Sequence, residues 1–161
     1  MALASAQMCH LELWKLAISA ANNAFIHGQQ SKAFSHYGAA LGLAKTGVEG
    51  LLAAQDVQGL LAEAERQIAA LVVTRHNLAD LYRHSSQLEA AITHLCDAHE
   101  TLFQLFHHPH YDIRELAQRH LRVTYQELMT FTQRHGQQAR IKQTLLLTRY
   151  VCECCRQKRA H

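Results

Sequence analysis

The residue types best suited to chemistry lie near the C-terminus, in the run Cys152-Glu153-Cys154-Cys155. Cys152 and Cys155 form a C-x-x-C pair, and in a helix a spacing of three residues places both thiols on one face. If the last two helices fold back on each other around Gly136, Cys152 should lie near His120. Thiolates and imidazoles together are ligands that suit zinc or copper(I). His120, Cys152 and Cys155 therefore form a candidate metal site.

The same cysteines have a second interpretation. A structural zinc site usually has two ligand pairs, and only one pair can be identified here, although we expect His107, His108 and His110 at the same end of the hairpin. In the alternative, Cys152 and Cys155 are small core residues. A thioredoxin-like redox role is not favoured, because these cysteines lie at the C-terminal end of a predicted helix, where the helix dipole opposes a thiolate.

The sequence contains none of the short motifs that mark common enzymes. It has no nucleophile elbow, phosphate-binding loop, HExxH pair or dinucleotide-binding fingerprint. Its charged residues do not form an acid–base pair that can be placed from their spacing. We therefore predict that the chain is not an enzyme and needs no cofactor, apart from the zinc considered above.

Composition predicts a single all-α domain of 161 residues. Apolar residues make up 48% of the chain, and 7 glycines with 1 proline leave little material for hairpins or irregular loops. A net charge of +3, with the 13 histidines neutral, is too small to predict a nucleic-acid-binding face. No apolar run reaches the roughly 18 residues of a membrane span. The N-terminus lacks a signal-like leader, and the cysteines do not form a disulfide framework, so we expect a cytoplasmic protein without membrane contact.

Helical periodicity divides the chain into three helix pairs, at about 5–46, 56–106 and 112–155. The first helix of the second pair is expected to be long, from about 56 to 84. Glycine, proline and a serine pair mark the turns between the helices. The expected turn residues are Gly28, Gly47, Gly50, Ser85-Ser86, Pro109 and Gly136.

Two stretches of the chain carry the same order of small and bulky residues. In each, a small residue leads through a turn residue to an alanine, a bulky residue and a second alanine. Small residues where two helices cross let their backbones approach closely, so this order predicts antiparallel helix pairs that cross at short distance. The matching positions are Ala21, Gly28, Ala33, Tyr37 and Ala40 in the first stretch, and Ala79, Ser86, Ala91, Leu95 and Ala98 in the second.

This pattern resembles the tetratricopeptide repeat (TPR), with two recognisable repeats and a divergent third helix pair. The early tryptophan and the closing proline of that family are missing, and an insertion separates the two units. The resemblance implies a TPR-like stack of three antiparallel helix hairpins. It also implies that the first helix of each pair lines a concave groove that binds a peptide or a helix of a partner protein. The groove residues that it implies are Lys15, Ile18, Asn22, Phe25, His76, Asn77, Asp80 and Arg83.

The predicted function is that of a protein-binding adaptor or chaperone in the cytoplasm, acting on a protein or peptide partner. The apolar stripes of the long helix could also support a homodimer. The alternative is a metal-binding protein that uses His120, Cys152 and Cys155 to hold zinc or copper. Binding of nucleic acid by the basic C-terminal residues is the least favoured of the three functions.

Overall fold

The computed structural model describes the backbone of residues 2–149 and the side chains of residues 10–149. The predicted all-α fold is confirmed, because this range forms six α-helices and no strand. Cys152 and Cys155 lie outside the described residues. The helices are α1 (Ala2–Ile26), α2 (Gln30–Ala53), α3 (Leu61–His84), α4 (Leu88–Phe106), α5 (Tyr111–His135) and α6 (Ala139–Thr148).

The odd-numbered and even-numbered helices form two layers. In one layer α1, α3 and α5 run side by side in the same direction. In the other, α2 packs against α1 and α3, while α4 packs against α3, α5 and α6. The contacts that align the odd-numbered helices are Trp14 Nε1 to Thr74 Oγ1 at 2.8 Å, the ring of Phe25 to the ring of His84 at 5.3 Å between centroids, and Arg119 to Glu65 at 3.5 Å.

Buried alanines lie on the second helix of each of the first two pairs. Ala33 and Ala40 of α2 are completely buried, as are Ala91 and Ala98 of α4. Tyr37 is buried between the first two alanines and fills the space that their methyl groups leave beside the crossing. The small-and-bulky order in the sequence therefore gives the close helix crossings that it predicts.

Gly28 and Ser86 end α1 and α3 in the same conformation. Gly28 has a φ of 68° and Ser86 a φ of 59°, so both lie in the left-handed region. At each site the next residue's N–H donates to a carbonyl five residues back, from Gln29 to Ala24 at 2.8 Å and from Gln87 to Tyr82 at 2.9 Å. This is the Schellman arrangement, in which a left-handed residue satisfies the last carbonyls of a helix.

Gly47 and Gly50 do not mark the end of α2, and this prediction is wrong. The helix continues to Ala53, and α3 begins at Leu61 rather than near residue 56. Gly47 lies against α3, where a Cβ would come within 3.1 Å of the Gln67 side chain. Because glycine has no Cβ, this position lets α3 pack closely against α2. It does not form a turn. The glycine with left-handed backbone in this region is Gly59, at 83°.

The third hairpin is less tightly closed than the first two. The α6 backbone lies closer to α4 than to α5. A groove of about 270 Å³ separates α5 from α6, and Met129, Ile141 and Leu145 line it. Polar groups rather than alanines hold α6 in place.

A hydrogen-bonded network joins α6 to α4. Arg140 forms an ion pair with Glu100, and the Thr144 hydroxyl donates to the same carboxylate at 2.6 Å. The imidazole of His99 lies between two threonine hydroxyls, at 2.7 Å from Thr124 Oγ1 of α5 and 3.1 Å from Thr148 Oγ1 of α6. His99 therefore connects three helices at once.

A second part of the network joins α3 to α4. Arg75 bonds with Asp97 at 3.1 Å and donates to His94 Nδ1 at 2.9 Å. Burial lowers the pKa of His99 to about 4, and burial with the charge of Arg75 lowers the pKa of His94 to about 4. Both imidazoles are thus neutral in the folded chain at neutral pH.

Exchanging serine and glycine at the two helix ends should change stability in opposite directions. Replacing Ser86 by Gly removes the steric cost of left-handed backbone and should raise the free energy of unfolding by about 0.5–1 kcal/mol, whereas Gly28→Ser should lower it by about 1 kcal/mol. Urea unfolding measures both. Ser85→Gly is the control and should destabilise, because the Ser85 hydroxyl donates to Leu81 O at 2.8 Å. A destabilised Ser86→Gly variant would contradict the strain argument.

Stability should fall as the pH is lowered from 7.5 to 5. The unfolded chain protonates His99 near its ordinary pKa of 6.5, whereas the folded chain resists protonation down to about 4. The unfolded state therefore binds more protons in this window, at a cost of about 2 kcal/mol at pH 5 for this one group. Between pH 7.5 and pH 5, the free energy of unfolding of His99→Gln, measured in urea, should fall by about 2 kcal/mol less than that of the wild type. His27→Gln, at an exposed position, should behave as wild type, and equal losses in both variants would exclude His99 as the cause.

Candidate functional site

A polar cavity of about 140 Å³ lies between α3 and α5, with α4 behind it. Ala79, Leu95 and Phe131 are its buried apolar residues. Its other lining residues carry charged or hydrogen-bonding side chains. These are His76, Asp80 and Arg83 of α3 with Glu127, Thr130, Arg134 and His135 of α5.

The two ends of the cavity differ in charge. Towards the N-terminal side of both helices lie His76, Asp80 and Glu127, and the nearby carboxylates Glu127 and Asp80 both act on the His76 imidazole. Towards the C-terminal side lie Arg83 and Arg134. The cavity is therefore acidic at one end and basic at the other.

Two charged groups of the cavity form no hydrogen bond or ion pair within residues 10–149. Arg83 bonds with Asp80 at 3.1 Å. Glu127 and Arg134, in contrast, make no hydrogen bond or ion pair with any residue that the structure describes. Both are exposed at the cavity mouth, where they can meet a ligand without losing an existing bond.

Two imidazole nitrogens of the cavity are buried and unbonded. His76 Nε2 and His135 Nε2 find no hydrogen-bond partner among residues 10–149. Burial lowers the pKa of His76, more strongly than Glu127 and Asp80 raise it, so its imidazole is neutral at neutral pH. A neutral imidazole nitrogen can accept or donate a hydrogen bond according to its tautomer, and a buried nitrogen without a bond is costly.

The boundary between α1 and α3 is closed by hydrogen bonds instead. Asn22 Oδ1 accepts from the Tyr37 hydroxyl at 2.6 Å and from Asn77 Nδ2 at 3.1 Å. Burial, with a smaller contribution from Asp80, raises the pKa of Tyr37, so its hydroxyl keeps the proton that it donates. Asn22 and Asn77, two of the predicted groove residues, bind each other.

The predicted groove residues lie in four different environments. His76, Asp80 and Arg83 line the cavity. Asn22, Asn77 and Phe25 hold α1 against α3, Phe25 through the ring of His84. Lys15 is exposed and pairs with Glu12 at 2.7 Å, whereas Ile18 is only 7% exposed and belongs to the core, so its side chain is not part of the surface.

Sequence reasoning missed the half of the cavity that α5 provides. The third helix pair lacks the small-residue order of the repeat, so the TPR pattern gave no groove positions there. A signal was nevertheless present. Glu127, Thr130 and Arg134 are spaced three and four residues apart, as are His76, Asp80 and Arg83, which places each set on one helix face.

The metal candidates are only partly described. His120 is half-buried on α5, where burial lowers its pKa more than the nearby Glu65 raises it. Among the described residues, no group of three histidine, cysteine, aspartate or glutamate side chains is placed to hold a metal ion. His108 uses both ring nitrogens within the chain, since Nε2 donates to Leu51 O at 3.1 Å and Nδ1 accepts from the His110 N–H at 3.0 Å.

The fold and the cavity define a class of protein: a two-layer stack of six helices with a charged cavity on the face of one layer. The family model described as "Protein of unknown function (DUF2753)" matches residues 12–161, and the chain belongs to this family. Neither the curated proteins nor the solved structures include a match to the chain. No helix in the described part of the chain is long and apolar enough to span a membrane.

Removing the Asn22 amide should destabilise the fold without touching the cavity. Asn22→Ala leaves the Tyr37 hydroxyl and the Asn77 amide without their shared acceptor, and we expect a loss of about 1–2 kcal/mol in urea unfolding. Asn23→Ala is the matched control, because that neighbouring side chain is exposed and makes no bond within the described range. Equal losses in the two variants would mean that the asparagine bridge contributes nothing specific.

Proposed function

We propose that this chain is a TPR-like adaptor or chaperone that binds a segment of a partner protein on the exposed face of α1, α3 and α5. The observation that carries the proposal is the cavity between α3 and α5. Glu127 and Arg134 stand at its mouth and have no ion pair or hydrogen bond in the described part of the chain. Exposed charged groups that no described residue neutralises suit recognition of polar side chains.

The location of the cavity also supports binding of a chain segment. It lies between two parallel helices, and the exposed side chains beside it continue along both, with Val73 before it on α3 and Val123 on α5. An extended surface with apolar and charged positions can hold several residues of a partner, as the first helices of stacked hairpins do in helical repeats.

A binding role suits these residues better than catalysis. The sequence contains none of the short motifs that mark common enzymes, and the cavity presents charged groups along two neighbouring helices. We also propose a cytoplasmic location, since Cys96 is a free buried thiol and the sequence lacks a disulfide framework.

Site-specific crosslinking tests the proposal. A photoreactive amino acid at Val73 should capture a discrete polypeptide in cells, whereas the same group at Glu49, an exposed residue of α2 in the other layer, should not. Filling the cavity with Thr130→Trp should reduce the Val73 crosslink by at least about tenfold. Thr93→Trp, on exposed α4 surface, is the matched control.

Thermal melting of the two tryptophan variants checks that both remain folded. Equal capture from Val73 and Glu49, or a Val73 crosslink that Thr130→Trp leaves unchanged, would contradict the proposed binding face.

A further inference from the structure

The charge order along the cavity repeats on both helices that form it. On α5 the acidic residue Glu127 precedes the basic residue Arg134 by seven positions, and on α3 Asp80 precedes Arg83. Seven residues are two helical turns, so Glu127 and Arg134 share one face of α5 and are separated by about 10 Å along the axis. The cavity therefore offers two opposite charges on one face of α5, two helical turns apart.

Each of these charges has a buried imidazole nitrogen near it. His76, whose Nε2 is unbonded, lies at the acidic end and is influenced by Glu127. His135, with Nε2 likewise unbonded within the described range, follows Arg134 directly at the basic end. The first imidazole can accept a hydrogen bond from a cationic group, and the second can donate one to an anionic group.

The spacing selects among ligands that carry both charges. The amino and carboxyl groups of a free amino acid belong to one residue, and one residue spans at most about 3.6 Å of extended chain. A polyproline II segment advances about 3.1 Å per residue with three residues per turn. Residues i and i+3 of such a segment therefore lie on one face, about 9 Å apart, which is close to the spacing of Glu127 and Arg134.

We propose that the cavity recognises an extended partner segment in which a basic and an acidic side chain lie three residues apart, the basic group against Glu127 and His76 and the acidic group against Arg134 and His135. This inference rests on the proposed function, since it specifies which segment the same face binds. The bound segment would supply partners to the two charges and the two buried ring nitrogens that have none within residues 10–149.

Peptide display followed by binding measurements tests the charge pattern. Peptides selected from a random library on the wild-type protein should contain a basic and an acidic residue three positions apart, in a constant order. Replacing either residue by alanine in a selected peptide should weaken its binding to the wild-type protein by about tenfold in fluorescence anisotropy. This measurement needs no protein variant.

Exchanging the cavity charges gives the second measurement. The variant Glu127→Arg with Arg134→Glu should prefer the peptide whose two charges are exchanged, and so reverse the wild-type ranking of the two peptides. The matched control is Glu115→Arg with Arg122→Glu, which alters the same residue types at the same spacing on α5, outside the cavity. It should preserve the wild-type ranking.

The outcomes separate this inference from the proposed function. If peptides bind and Thr130→Trp prevents binding, but the alanine substitutions have no effect or the ranking is not reversed, the charge pattern is wrong and the binding face stands. If no peptide is selected, or if Thr130→Trp does not weaken the selected peptides, both the charge pattern and the binding face are wrong.

Discussion

Close packing at small residues is the constraint on which the rest of the structure depends. Ala33 and Ala40 of α2 and Ala91 and Ala98 of α4 are completely buried, and side chains as small as a methyl group let neighbouring helices pack closely at these positions. Larger side chains would push the pairs apart. Because the paired helices pack closely, successive pairs also lie close together. Side chains of α1, α3 and α5 can therefore bond directly with those of the neighbouring helix. The cavity exists because this distance is short enough for α3 and α5 to share it.

The two boundaries within the layer of odd-numbered helices have opposite characters. Between α1 and α3, the Asn22–Asn77 bond and the Trp14–Thr74 bond connect the helices directly. Between α3 and α5, the facing side chains at the level of the cavity include the small residues Ala79 and Thr130, and the charged groups stand at its ends. The polar network of α6 and α4 supports this open boundary from behind. The bonded boundary between α1 and α3 holds the two helices together. The open boundary between α3 and α5 leaves room for a ligand.

Local chemistry explains which features could be predicted from the sequence. The equivalence of Gly28 and Ser86 followed from their position before matching alanines, because a turn conformation depends on a few adjacent residues. The end of α2 could not be predicted in this way. Gly47 looks like a helix breaker until α3 is placed against it, since its role is to admit Gln67. The α5 half of the cavity was missed for a similar reason: Glu127 and Arg134 acquire their meaning only when His76 and Arg83 lie opposite.

The histidines that affect stability are not the residues proposed to bind the ligand. His94 and His99 are held neutral inside the network that joins α4 to its neighbours, so protonation acts on the fold. The proposed selectivity comes instead from one carboxylate and one guanidinium group, those of Glu127 and Arg134. Recognition would still depend on the polar network behind the cavity, because loss of that network would separate the helices that bring the two charges to their spacing.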